Sequence, residues 1–158
     1  MKRRLLALAG ISILAALSLG SPVPAGQEAK RRILIDSRVQ GIGGGTGRFI
    51  FSLGTGGDFG KLTFTRSFGA NTKTPEGLAY ALVKETDSMK GKSGTLVIRS
   101  IGPGYDMGIG PNEVWMGRWS IVRGTGDYSG LTGGGRWVGV GSHVDESVTT
   151  RFAGFVTP

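Results

Sequence analysis

His143 is the only histidine of the 158-residue chain, and "GSHVDES" (141–147) sets Ser142, Asp145 and Glu146 around it. Serine, imidazole and carboxylate are the parts of a nucleophilic triad, in which the base takes the hydroxyl proton and the acid orients the base. Neighbours on a strand point to opposite sides, so Ser142 and His143 cannot share a face. The G-x-S-x-G turn that presents a nucleophilic serine is absent from the sequence. A zinc centre needs several imidazole, thiolate or carboxylate ligands. With one imidazole and no cysteine, neither a metal nor a cofactor is expected, and the stretch reads as a polar loop with a solvated histidine.

Glycine-rich stretches are the next candidates. A dinucleotide loop requires G-x-G-x-x-G between a strand and a helix, because the pyrophosphate rests on the helix N-terminus. "GIGGGT" (41–46), "GTGGDF" (54–59) and "GTGDYS" (124–129) end on Thr46, Phe59 and Ser129, and a strand pattern follows each. "TDSMKGKS" (86–93) supplies the Gly91, Lys92 and Ser93 of a P-loop, but Thr86 replaces the first glycine and no helix follows. It reads as a hairpin turn that contains a lysine. "DFGKL" (58–62) shares only letters with a kinase motif.

The elements that must position any site begin after a leader. Lys2, Arg3 and Arg4 precede the apolar run Leu5–Leu19, and "GSPVPAG" places Val23 and Ala25 at the spacing of a signal-peptidase site. The run is about 15 residues, short of the roughly 20 of a spanning helix. Residues 1–25 are therefore expected to be a cleaved signal peptide, leaving no stable membrane anchor and a secreted, periplasmic or extracellular protein. The leader takes three of the 19 Lys+Arg and none of the 11 Asp+Glu, so the charge falls from +8 to +5. That is ordinary solubility charge, and no nucleic-acid partner is expected. Without cysteine the fold stands on burial and backbone hydrogen bonds.

Strand patterns fill the rest. "RRILID" (31–36), "GRFIFSL" (47–53), "KLTFTRSF" (61–68), "GTLVIRSI" (94–101), "EVWMGRWSIVR" (113–123), "GRWVGVG" (135–141) and "TTRFAGFV" (149–156) alternate or run apolar between glycine-rich turns. "TPEGLAYALVKETDSMKG" (74–91) is ambiguous. Thr74, Pro75 and Glu76 open it like a helix, while Gly77 and the surrounding pattern oppose one. Seven or eight strands at this spacing make an all-β antiparallel sandwich or barrel.

Two stretches carry a resemblance. "TDSMKGKSGTLVIR" (86–99) followed by "GRWSIVRGTGDYSGLTGGGR" (117–136) resembles the secreted bacterial proteins with an allene oxide cyclase-like barrel, a fold shared with plant dirigent proteins. The resemblance implies a single small antiparallel β-barrel of about eight strands over 45–158, after an N-terminal segment 26–44 that holds a first strand. It also tips residues 78–90 to strand. Within "RGTGDYSGLTGGGRW" (123–137), Asp127 is placed to cap its own backbone, and Tyr128 and Leu131 to fold back as a plug.

Three functions follow as expectations. The first is a secreted, non-catalytic barrel that binds a small apolar ligand inside, with a homo-oligomer as a further partner state. The second is a cyclase- or isomerase-like enzyme acting on an apolar reactive intermediate. Arg99, Tyr105, Glu113, Arg118 and Tyr128 would supply its polar groups, though none matches a catalytic motif of the plant enzymes. The third is a surface interaction protein using exposed Trp115, Trp119 or Trp137. Together with Trp115 and Trp119, those five polar residues form the candidate ligand-binding set.

Overall fold

The alternating runs become strands that close on themselves. The computed structural model describes residues 29–41, 43–106 and 112–158, so the expected leader at 1–25 lies outside the described residues. In chain order the strands are β1 (Arg31–Gln40), β2 (Gly44–Leu53), β3 (Gly56–Phe68), β4 (Thr72–Lys73), β5 (Ala79–Lys90), β6 (Thr95–Asp106), β7 (Asn112–Gly124), β8 (Thr132–Ser142) and β9 (Ser147–Thr157). The sheet order is β3-β2-β1-β9-β8-β7-β6-β5, and β3 pairs with β5 to close it. The result is an eight-stranded antiparallel barrel, with the two-residue β4 lying outside on β5. β1 is a full stave, paired with β2 on one side and β9 on the other, so the barrel begins at Arg31.

The ambiguous segment resolves into β5. A turn over Thr74–Leu78 precedes it, closed by the Thr74 amide donating to the Leu78 carbonyl at 2.9 Å. Gly77 sits there at φ +88°, a left-handed conformation that ends any helix begun at Pro75.

The staves alternate up and down, so their connections fall at two rims. The lower rim carries the turns β2–β3, β5–β6 and β7–β8. The upper rim carries the turns β1–β2 and β8–β9 and the link from β3 to β5. Inward side chains fill the lower interior with Ile33, Phe51, Leu62, Met89, Leu96 and Val156, all buried. Each such side chain contributes roughly 1.5–3 kcal/mol on burial.

The glycine-rich corner at 123–137 closes the lower rim. A single 3-10 turn, Gly126–Tyr128, brings Tyr128 and Leu131 back into the core, where both are buried. The Tyr128 ring meets Phe51 edge-on at 5.2 Å. The carboxylate that ties this corner is Asp58 rather than Asp127. Asp58 accepts from the Tyr128 hydroxyl (2.5 Å) and from the amides of Phe59 (2.7 Å), Ser93 (3.0 Å) and Lys92 (3.1 Å). Asp127 instead gives its amide to the Ser93 carbonyl at 2.9 Å.

Candidate functional site

Below the upper rim the inward positions turn polar. Arg66 on β3 stands opposite Glu85 on β5 in register, and the two form a buried ion pair through the guanidinium and Glu85 Oε2. Asp87, two residues along β5 and so on the same face, is 1% exposed. Ser100 lies opposite Glu85 on β6 and is fully buried. Among the described residues, Asp87 Oδ2 and Ser100 Oγ have no hydrogen-bond partner. Burial, then the negative charge of Glu85 and a hydrogen bond shared with it, push the Asp87 carboxyl well above its usual range, with Arg66 opposing. The protonated form of Asp87 is thereby favoured beside a paired carboxylate.

Trp115 roofs this layer. The Arg66 guanidinium lies 4.2 Å from its ring and 4.9 Å from that of Phe64. The indole needs two glycines beside it: a Cβ on Gly104 would stand 2.3 Å from Trp115 Cδ1, and one on Gly141 2.5 Å from Cη2. It spans between β6 and β8 in consequence. Its Nε1–H donates to Glu113 Oε2 at 3.1 Å, and Glu113 Oε1 meets His143 Nε2 at 2.9 Å. The sole imidazole thus faces a carboxylate from β7 and not a triad with Ser142 and Asp145. The latter carboxylate is engaged with Ser147, whose hydroxyl donates to it at 2.9 Å.

Above Trp115 the barrel opens in a cleft of about 330 Å³. Phe68, Tyr80, Val83 and Trp115 give it an apolar body, and Asp106 and Glu113 stand at its edge. The Tyr80 and Tyr105 rings lie 5.8 Å apart across β5 and β6. This room is at the rim, while the interior below is occupied by side chains.

The candidate residues scatter. Trp115, Glu113 and Tyr105 gather at this upper rim. Trp119 is deep in the barrel, 3% exposed, with its Nε1–H donated to the Ala153 carbonyl at 3.2 Å. Tyr128 belongs to the lower rim, and Arg99 and Arg118 point outward from the wall. All three tryptophans are buried, which removes exposed indoles as a contact surface. Sequence reasoning missed Arg66, Glu85 and Asp87. The signal of the two acids was present in "VKETDSM" (83–89), where Glu85 and Asp87 share a strand face with Val83 and Met89.

Compared with family models, curated proteins and solved structures, the chain matches none.

Proposed function

We propose that the protein is an exported, non-catalytic barrel of the allene oxide cyclase-like type that holds a small ligand at its upper rim, over Trp115. The observation that carries this reading is the cleft itself, concave, with apolar and aromatic residues on one part of its wall and Asn71, Asp106 and Glu113 on another. Its edge is acidic, through Glu113 and Asp106, and its body is aromatic. That combination favours a ligand with an apolar body and a cationic or hydrogen-bond-donating end.

A fluorescence titration tests it, because Trp115 lines the cleft. Three probes share one phenylbutyl body: the ammonium, the alcohol and the carboxylate. The expected order of affinity is ammonium, alcohol, carboxylate, and Glu113→Gln is expected to erase the advantage of the ammonium. Absence of any response, or tightest binding of the carboxylate, would overturn the reading.

A second reading, a cyclase- or isomerase-like enzyme, is favoured by one observation, the buried Asp87 beside Glu85, whose carboxyl is raised above its usual range. A general acid must reach the reacting atom, yet neither carboxyl lines the cleft. Contact from cleft to acids runs through Trp115 and Arg66. Binding is accordingly the better-supported function.

A further inference from the structure

The outer wall of the barrel poses a different problem, independent of the cleft. Every stave carries at least one exposed lysine or arginine, and β6 to β9 alone present Arg99, Arg118, Arg123, Arg136 and Arg151. The acids lie elsewhere. Asp58, Glu85 and Asp87 are buried, while Asp106, Glu113, Asp127, Asp145 and Glu146 stand at the rims. Between the rims, among the described residues, the one outward-facing acid is Asp36, and Arg151 occupies it at 2.7 Å. A chain of modest net charge thus folds into a body with a basic wall.

Two arginines make that wall costly. Arg118 on β7 and Arg136 on β8 are directly opposite in register, and among the described residues neither has an ion-pair partner. Like charges facing each other across an antiparallel pair are destabilising. Both line a trough of about 700 Å³ on the outside of the barrel, together with Ile101, Pro103, Met116 and Val138. The trough lies where the β6–β7 ladder skips Gly102, Pro103, Met116 and Gly117. There the backbones close on each other, and a Cβ on Gly102 would stand 1.9 Å from the Met116 carbonyl oxygen. Ile101, Met116 and Val138 remain 43–45% exposed.

We propose that this face of β6–β9 docks on an anionic phospholipid surface, with Arg118 and Arg136 on the headgroup phosphates and the apolar trough against the acyl boundary. Charge complementarity sets the sign of the partner. Trp137, the aromatic residue in the lining, is only 3% exposed. The exposed apolar side chains of the trough are Ile101, Met116 and Val138, and these choose lipid over nucleic acid, whose bases stack on aromatic rings. A second copy docked face to face would bring four arginines together and is disfavoured. The contact is peripheral. A membrane-spanning barrel is apolar outside, and here Arg48, Arg99, Arg118 and Arg136 stand on outer mid-strand positions.

Vesicle co-sedimentation of the full chain tests this, using equal parts phosphatidylglycerol and phosphatidylcholine against phosphatidylcholine alone. The apolar run at 5–19 is common to every variant and cancels in the comparison. Wild type is expected to bind the anionic vesicles and R118S/R136S to bind them about thirty-fold more weakly, roughly fivefold per cation near the surface. The control is R48S/K61S on the opposite wall, an equal charge change at another facing pair. It lies more than a Debye length of about 8 Å away at physiological salt and is expected to shift binding by less than about threefold. R118S/R136S also relieves repulsion, so near-UV circular dichroism is expected to be unchanged. Equal losses in both double variants would overturn the proposal. So would binding to duplex DNA or heparin without binding to vesicles, or a dimer that R118S/R136S dissolves.

Discussion

At the residue scale, Asp87 shows how a barrel interior changes the chemistry of an ordinary side chain. An exposed or unfolded aspartate titrates near 3.9, whereas burial and the neighbouring Glu85 hold the folded Asp87 well above that. The folded state therefore keeps a proton that the unfolded state releases, and stability falls as pH rises from about 4 toward the folded value. Asp87→Asn removes the titration and retains a hydrogen-bond donor toward Glu85. Thermal melts from pH 4 to pH 8 are expected to show the variant gaining on wild type as pH rises. A wild type that gains on the variant over that range would contradict the assignment. The alternation that put these acids on an inward face was readable in the sequence. Their partner Arg66 was not, because it arrives from another strand nineteen positions away.

At the element scale, the lower rim is held by a single carboxylate that joins two turns to β3. Asp58 belongs to β3, yet its donors come from the β5–β6 turn and from the 3-10 turn before β8 as well as from its own neighbour. Burial raises its carboxyl, but the bonds from Tyr128, Ser93, Lys92 and Phe59 outweigh it and hold the group below the usual range. Its contribution is present at neutral pH and is lost as pH falls below about 4 through the folded value. Asp58→Asn is expected to cost about 2–3 kcal/mol, the scale of hydrogen bonds to a charged group. It is also expected to abolish that part of the acid unfolding limb, as read by urea denaturation at pH 7 and at pH 3. Equal stability of the two proteins at pH 7 would show that the turns hold without it. The sequence marked 123–137 as a corner with Tyr128 and Leu131 folded inward, since glycine spacing and the two large side chains are local features. It gave Asp127 only a cap on its own backbone and did not find Asp58, because a bond spanning seventy residues has no local signature.

At the scale of the whole molecule, closure depends on its first stave. β1 pairs with β9 over ten residues and with β2 over eight, so removing it leaves the edges of β2 and β9 bare. Unpaired edges of that length template aggregation. A chain beginning at Lys30 is expected to give a monodisperse protein with near-UV circular dichroism. One beginning at Gly45, the start that the resemblance implies for the barrel, is expected to aggregate. A folded product from the shorter chain would show that the barrel closes on seven staves.

The amino-acid sequence by itself determined the barrel strands other than β5, most of their turns and the absence of any nucleotide or metal motif, because hydrophobic alternation and turn chemistry act over a few residues. It also carried the total charge. Only the tertiary structure decided that Arg118 faces Arg136 on a basic wall, that Glu85 and Asp87 are buried beneath Trp115, and that the cleft over Trp115 opens at the upper rim. Those outcomes depend on register between strands far apart in the chain, and on which side of a closed sheet each residue falls.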